Sequence, residues 1–130
     1  MLINENPPEN NWQNYSPVIL AYLGDAVFEL LVRTSIVAGG RRRIKDIHLD
    51  TVRIVNAESQ AKVIREVFDS LSEEEKDVVR RGKNAKSSPP RHADNADYRM
   101  STGFEALLGY LYLKGEYSRI NQLVKSALHD

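Results

Sequence analysis

Asp25 and Glu105 are the residues best placed to do chemistry, because each is a lone acid in a stretch of apolar side chains. Asp25 lies in Pro17-Val18-Ile19-Leu20-Ala21-Tyr22-Leu23-Gly24-Asp25-Ala26-Val27-Phe28-Glu29-Leu30-Leu31, and Glu105 in Phe104-Glu105-Ala106-Leu107-Leu108-Gly109-Tyr110-Leu111-Tyr112-Leu113. A helix apolar almost all the way round is normally buried. A buried ionised carboxylate is costly unless something pairs with it. Both acids are therefore expected inside, satisfied by a backbone amide, an arginine or a tyrosine hydroxyl, or by a cation held between them. One or two carboxylates completed by water are what Mg²⁺ prefers. Thr102, three residues before Glu105, shares its helix face and is placed to hold a water or orient the carboxylate. Glu29, four residues before Arg33, has the spacing of an ordinary helix-stabilising pair.

Other chemistries find less support. His48, His92 and His129 are scattered and the chain has no cysteine, so a zinc site is not expected. No nucleophile-elbow pattern frames a serine triad. A magnesium site next to basic residues points instead to phosphoryl chemistry, in which the ion activates a water and neutralises the scissile phosphate. Arg80, Arg81, Lys83, Lys86, Arg91 and Arg99 face only Asp94 and Asp97 across residues 80–99, while Arg41, Arg42, Arg43 and Lys45 form a second cluster. That segregation suggests a local basic face for a polyanion. The whole chain, with 18 basic and 18 acidic residues, carries no net charge, which argues against a generic nucleic-acid coat protein.

Helices must position these groups. Residues 1–15 read as a polar, proline-containing lead-in, and 16–130 as one domain. Ser16-Pro17 marks the start of a helix that reaches Ala38 and stops at Gly39-Gly40. A shorter amphipathic helix covers Lys45 to Val55. Asn56 caps another from Ala57 to Phe68, with Ala57, Ala61, Ile64 and Phe68 at helical spacing. Ser72-Glu73-Glu74-Glu75 is a capping box opening a helix to Gly82. Residues 84–97 form one long loop, before helices from Tyr98 to Lys114 and across Ile120, Leu123, Val124 and Leu128. Strand signals are weak, so the expected class is all-α, with about six to seven helices.

At 130 residues the chain can bury roughly two thirds of its unfolded surface without staples. The absence of cysteine fits a reducing compartment. No apolar run reaches the length of about 18 residues needed to cross a bilayer, and the N-terminus does not read as a signal peptide. A soluble, cytoplasmic protein is expected.

Four segments also carry a resemblance. Leu23-Gly24-Asp25-Ala26-Val27 resembles the core of the signature helix of the ribonuclease III family, and Phe104-Glu105-Ala106-Leu107-Leu108-Gly109 resembles its second acidic motif. Arg80-Arg81-Gly82-Lys83-Asn84-Ala85-Lys86 and Tyr98-Arg99-Met100-Ser101-Thr102 are similar to segments of Mini-ribonuclease III, the short bacterial branch without the C-terminal double-stranded-RNA-binding domain. The resemblance spans roughly residues 16 to 125. It implies an all-helical endonuclease domain that forms a homodimer along the signature helix. Each subunit would cut one strand of double-stranded RNA through a Mg²⁺-activated water, leaving 5′-phosphate and 3′-hydroxyl ends with short 3′ overhangs. The implied substrate is a stem of the 23S ribosomal RNA precursor, which a large-subunit ribosomal protein would help to shape.

Under that resemblance Asp25 and Glu105 are the catalytic, metal-binding acids, and Tyr22 stands where the family inserts an aromatic into the partner. RNA would be held by Arg80, Arg81, Lys83, Asn84, Lys86 and Arg99, with Arg53 in addition. Binding is expected to be modest and strongly salt-dependent. Ala21, Val18 and Thr102 stand where the full-length family has further acids, so more waters must complete the metal shell. Those missing acids motivate a rival reading, a catalytically inactive module that docks on ribosomal RNA. A helical phosphatase using the same two acids is a third.

Overall fold

The computed structural model describes residues 11–40, 42–85 and 95–128. Helix α1, Pro17–Ala38, starts with proline in its first turn, where the missing N–H is no loss. Ser16 occupies the cap position, but its side chain makes no capping hydrogen bond. The helix ends as expected at Gly39, whose N–H donates to the Ile36 carbonyl at 3.2 Å. Gly40 then turns the chain at φ 128°, a value L side chains rarely adopt. Helix α2 covers Ile44–Ile54 and α3 covers Ala57–Val67. The Asn56 side chain accepts from the Ser59 N–H at 2.8 Å, closing the start of α3.

A 3₁₀ turn, Phe68–Ser70, leads into α4, Glu73–Lys83. The capping box forms in full: Glu75 N–H donates to Ser72 Oγ at 3.1 Å and Ser72 N–H to Glu75 Oε1 at 2.9 Å. Glu75 also receives Arg119 Nε at 2.9 Å on its other oxygen. One carboxylate thus caps α4 and anchors α6, Tyr117–Leu128. Helix α5, Asn95–Lys114, begins three residues before the expected Tyr98, which shortens the loop; residues 86–94 of that loop lie outside the described residues. The described residues are all-α, with six α-helices and no strand.

Helix α5 is the axis of the domain. Ser101–Phe104 and Ala106–Leu111 are buried and Glu105 alone in that stretch keeps partial access to solvent. Helices α1, α3 and α4 pack around it. Two glycine crossings set the distances. A Cβ on Gly24 of α1 would lie 1.7 Å from the Glu105 carbonyl oxygen, and one on Gly109 would lie 2.0 Å from the Leu20 carbonyl oxygen. On the opposite side, a Cβ on Gly82 of α4 would come within 2.8 Å of the Gly103 Cα. Backbones this close leave no room for a methyl group. Phe28 and Phe104 meet edge to face beside the first crossing, at 5.6 Å between ring centres.

The polar lead-in expected over residues 1–15 is only partly of that character. Trp12 is buried and packs on Tyr15, because its large apolar ring outweighs its polar neighbours. Residues 1–10 lie outside the described residues.

The first crossing yields a direct test. Gly24→Ala forces α1 and α5 apart and is expected to lower stability by about 3 kcal/mol or more, the upper range for overpacking a core. Urea denaturation of the variant checks this; a loss below about 0.5 kcal/mol, the usual size of a surface substitution, would contradict the crossing.

Candidate active site

Because Gly24 lets the Glu105 backbone touch α1, the next residue, Asp25, falls beside the Glu105 side chain. The two carboxyls interact directly, and the amide of Gln60 reaches Glu105 from α3. Three helices therefore meet at one acid. Burial pushes the Glu105 carboxyl up to about 8, and the hydrogen bond and charge of Asp25 add to that rise. Gln60 opposes it by donating to the carboxylate. Near neutral pH and without a cation, Glu105 holds its proton.

Asp25 itself is exposed, which corrects the expectation of a buried acid. The physical reason lies in α1, which is apolar on two faces and buries only one. Leu20, Gly24, Val27, Phe28 and Val32 form the inner face. Ile19 at 60 %, Tyr22 at 83 % and Leu30 at 65 % exposure lie on the outer one. Asp25 sits at the border between them, open to solvent on one side and facing Glu105 on the other.

Two carboxyls that repel each other, one half-buried and one solvent-facing, fit a divalent cation. A cation can replace the Glu105 proton and satisfy both acids at once. Among the described residues no cluster of three or more His, Cys, Asp or Glu is suited to hold a metal, so waters must complete the shell. Glu29 is bound to Arg33 at 3.3 Å, the pairing its spacing suggests. Thr102 is buried and donates its hydroxyl proton to the Tyr98 carbonyl at 3.0 Å.

The basic candidates divide. Arg80, Lys83, Asn84 and Arg99 are exposed on α4, its C-terminus and α5. Arg80 and Lys83 line one groove with Arg65. Arg81 is turned inward, donating to the carbonyls of Gln13 and Tyr15 and tying residues 11–15 to α4. Arg53 is exposed on α2, 3.4 Å from Asp50. Lys86 lies outside the described residues. Gln60 and Arg65 were not anticipated. Gln60 had a signal, a polar residue directly before Ala61 and four before Ile64 on an otherwise apolar face. Arg65 had none, since its partner Asp97, at 2.7 Å, is far away in sequence.

The chain and its fold have counterparts in known proteins. A profile of the ribonuclease III domain matches residues 19–116, and the chain belongs to the ribonuclease III family. Its relatives include the Mini-ribonuclease 3 of Thermoanaerobacter sp. (strain X514), 49% identical over 85% of this chain and 78% of that protein. The Mini-ribonuclease 3 of Symbiobacterium thermophilum is 46% identical over 85% of this chain and 86% of its own. A Fusobacterium nucleatum protein of known crystal structure superposes with a TM-score of 0.84 at 29% identity, covering 92% of this chain and 97% of that one. No helix among the described residues is long and apolar enough to cross a membrane.

The raised Glu105 value has a consequence for stability. Between about 4.5, its ordinary value, and about 8, the folded chain holds a proton that the unfolded chain has released. This contribution to stability is complete below the lower value and lost as pH rises through the upper. In EDTA, the urea midpoint of the wild type should therefore fall between pH 5 and 8, and Glu105→Gln should lessen that fall. An equal fall in both proteins would contradict the coupling.

Proposed function

We propose that the chain is a Mg²⁺-dependent endoribonuclease that cleaves double-stranded RNA in the cytoplasm, with Asp25 and Glu105 as its catalytic acids. The observation that carries this reading is the placement of the pair on an open face of the domain. A closed pocket would suit a mononucleotide, whereas an exposed Asp25 can be reached by the backbone of a polymer. Asp25 and Glu105 would hold the ion. When bound, it supplies a nucleophilic water at neutral pH and offsets the charge of the scissile phosphate. Gln60 orients the Glu105 carboxylate and favours its ionised form. Attack on phosphorus with loss of the 3′ oxygen leaves 5′-phosphate and 3′-hydroxyl ends. Arg80, Lys83 and Arg99 supply cations for an A-form backbone, which is read by shape rather than sequence. By its likeness to the Mini-ribonuclease III branch, the proposed substrate is a stem of the 23S ribosomal RNA precursor.

The outer face of α1 supports a homodimer. Ile19, Tyr22, Ala26, Leu30 and Val37 recur along it at near-helical spacing, and all five are exposed in the single chain. Pairing two α1 helices antiparallel about Ala26 would set Tyr22 against the partner's Leu30. It would also place the two acid pairs on either side of the seam, one for each strand.

A labelled RNA duplex of defined sequence, incubated with Mg²⁺, tests both points. Cuts on both strands, offset to leave short 3′ overhangs with 5′-phosphate ends, are expected. Asp25→Asn should slow them by more than about a hundredfold, the upper range for losing a residue that merely supports a metal ligand. No cleavage with any divalent metal would overturn the enzyme reading in favour of an RNA-docking module.

A further inference from the structure

The groove that Arg80 and Lys83 share with Arg65 has a floor that duplex RNA does not need. It is about 460 Å³ in volume and runs between the end of α3, the Phe68–Ser70 turn, α4 and the start of α5. Phe68 and Met100 form its apolar surface, and both remain partly accessible. The Arg80 guanidinium sits 5.5 Å and the Lys76 ammonium 5.7 Å from the centre of the Phe68 ring, so ring and cations make one platform. Lys83 adds a second exposed cation, while Asp69 is an acid at the edge and Arg65 is already engaged by Asp97. A paired duplex offers such a surface only phosphates and 2′-hydroxyls, because its bases are stacked inside. An aromatic–guanidinium platform flanked by cations suits a nucleotide whose base is free to stack.

We infer that this groove binds an unpaired nucleotide of the RNA, with its base on the Phe68–Arg80 platform and its phosphate on Arg80 and Lys83. Met100 precedes Glu105 by five residues on α5, about 7.5 Å along the helix axis and about 140° around it, so the groove opens on a different face from the acid pair. The groove would thereby favour RNA that carries an unpaired nucleotide over a fully paired duplex. This inference rests on the RNA-binding reading above.

Fluorescence anisotropy in EDTA, which prevents cleavage, can compare a fully paired duplex with the same duplex carrying one bulged nucleotide. The wild type is expected to bind the bulged duplex roughly tenfold tighter, the effect of stacking one base on an aromatic surface. In Phe68→Leu, which keeps an apolar side chain but removes the ring, the ratio of the two affinities should fall to about one. A ratio near one in the wild type, or an unchanged ratio in the variant, overturns the inference. A second readout covers a variant that fails to fold. Trp12 is the sole native tryptophan and is buried, so Phe68→Trp adds an indole that reports on the groove. A short single-stranded oligonucleotide should quench it and inorganic phosphate should not; absence of quenching counts against the site. If no duplex binds at all, the duplex reading fails, and the oligonucleotide still decides the groove.

Discussion

The backbone contact between Gly24 and the Glu105–Gly109 stretch is the constraint on which the rest of the structure depends. Two helices can approach this closely only where both lack side chains, and α1 and α5 each supply a glycine at the crossing. The contact brings an acid from each helix into one place. It also turns α1 so that one apolar face packs on Phe104 and the other faces solvent. Gly82 and Gly103 repeat the device on the far side of α5, holding against it α4, whose last turns carry Arg80, Arg81 and Lys83. An acid pair and a basic groove are thus carried by one central helix through two glycine contacts.

Electrostatics at the acid pair follow from that geometry. Glu105 is held where its charge is disfavoured by burial and by Asp25, and only Gln60 stabilises it. Such a site is poorly satisfied by protein groups alone, and a divalent cation resolves both the repulsion and the lost hydration. Two less exposed charges outside the pair are satisfied internally: Glu75 is bound by Arg119 and by the Ser72 amide, and Arg81 is spent on two carbonyls. The contrast separates the acid pair from structural charge.

Much of this was legible in the residues. Asn56, Ser72 with Glu75, and Gly39-Gly40 are local punctuation whose effect depends on near neighbours, so the helix ends fall close to expectation. The two acids stood out because a carboxylate in an apolar run is a local anomaly. The exposure of Asp25 was not legible, since an apolar helix face left open to solvent has the same composition as one buried in the core. The role of Arg81 was hidden for a similar reason: it sits in a basic run, and only the packing of Trp12 brings the Gln13 and Tyr15 carbonyls to it. Gln60 and Arg65 act through contacts distant in sequence, which periodicity does not report.

The α1–α5 crossing couples Asp25 to Glu105. Titration of the Glu105 side-chain carboxyl by ¹³C NMR in the metal-free protein tests it most directly. A midpoint near 8 is expected in the wild type and a clearly lower one in Asp25→Asn. A midpoint at the ordinary value of about 4.5 in the wild type, or one that Asp25→Asn leaves unmoved, would contradict it.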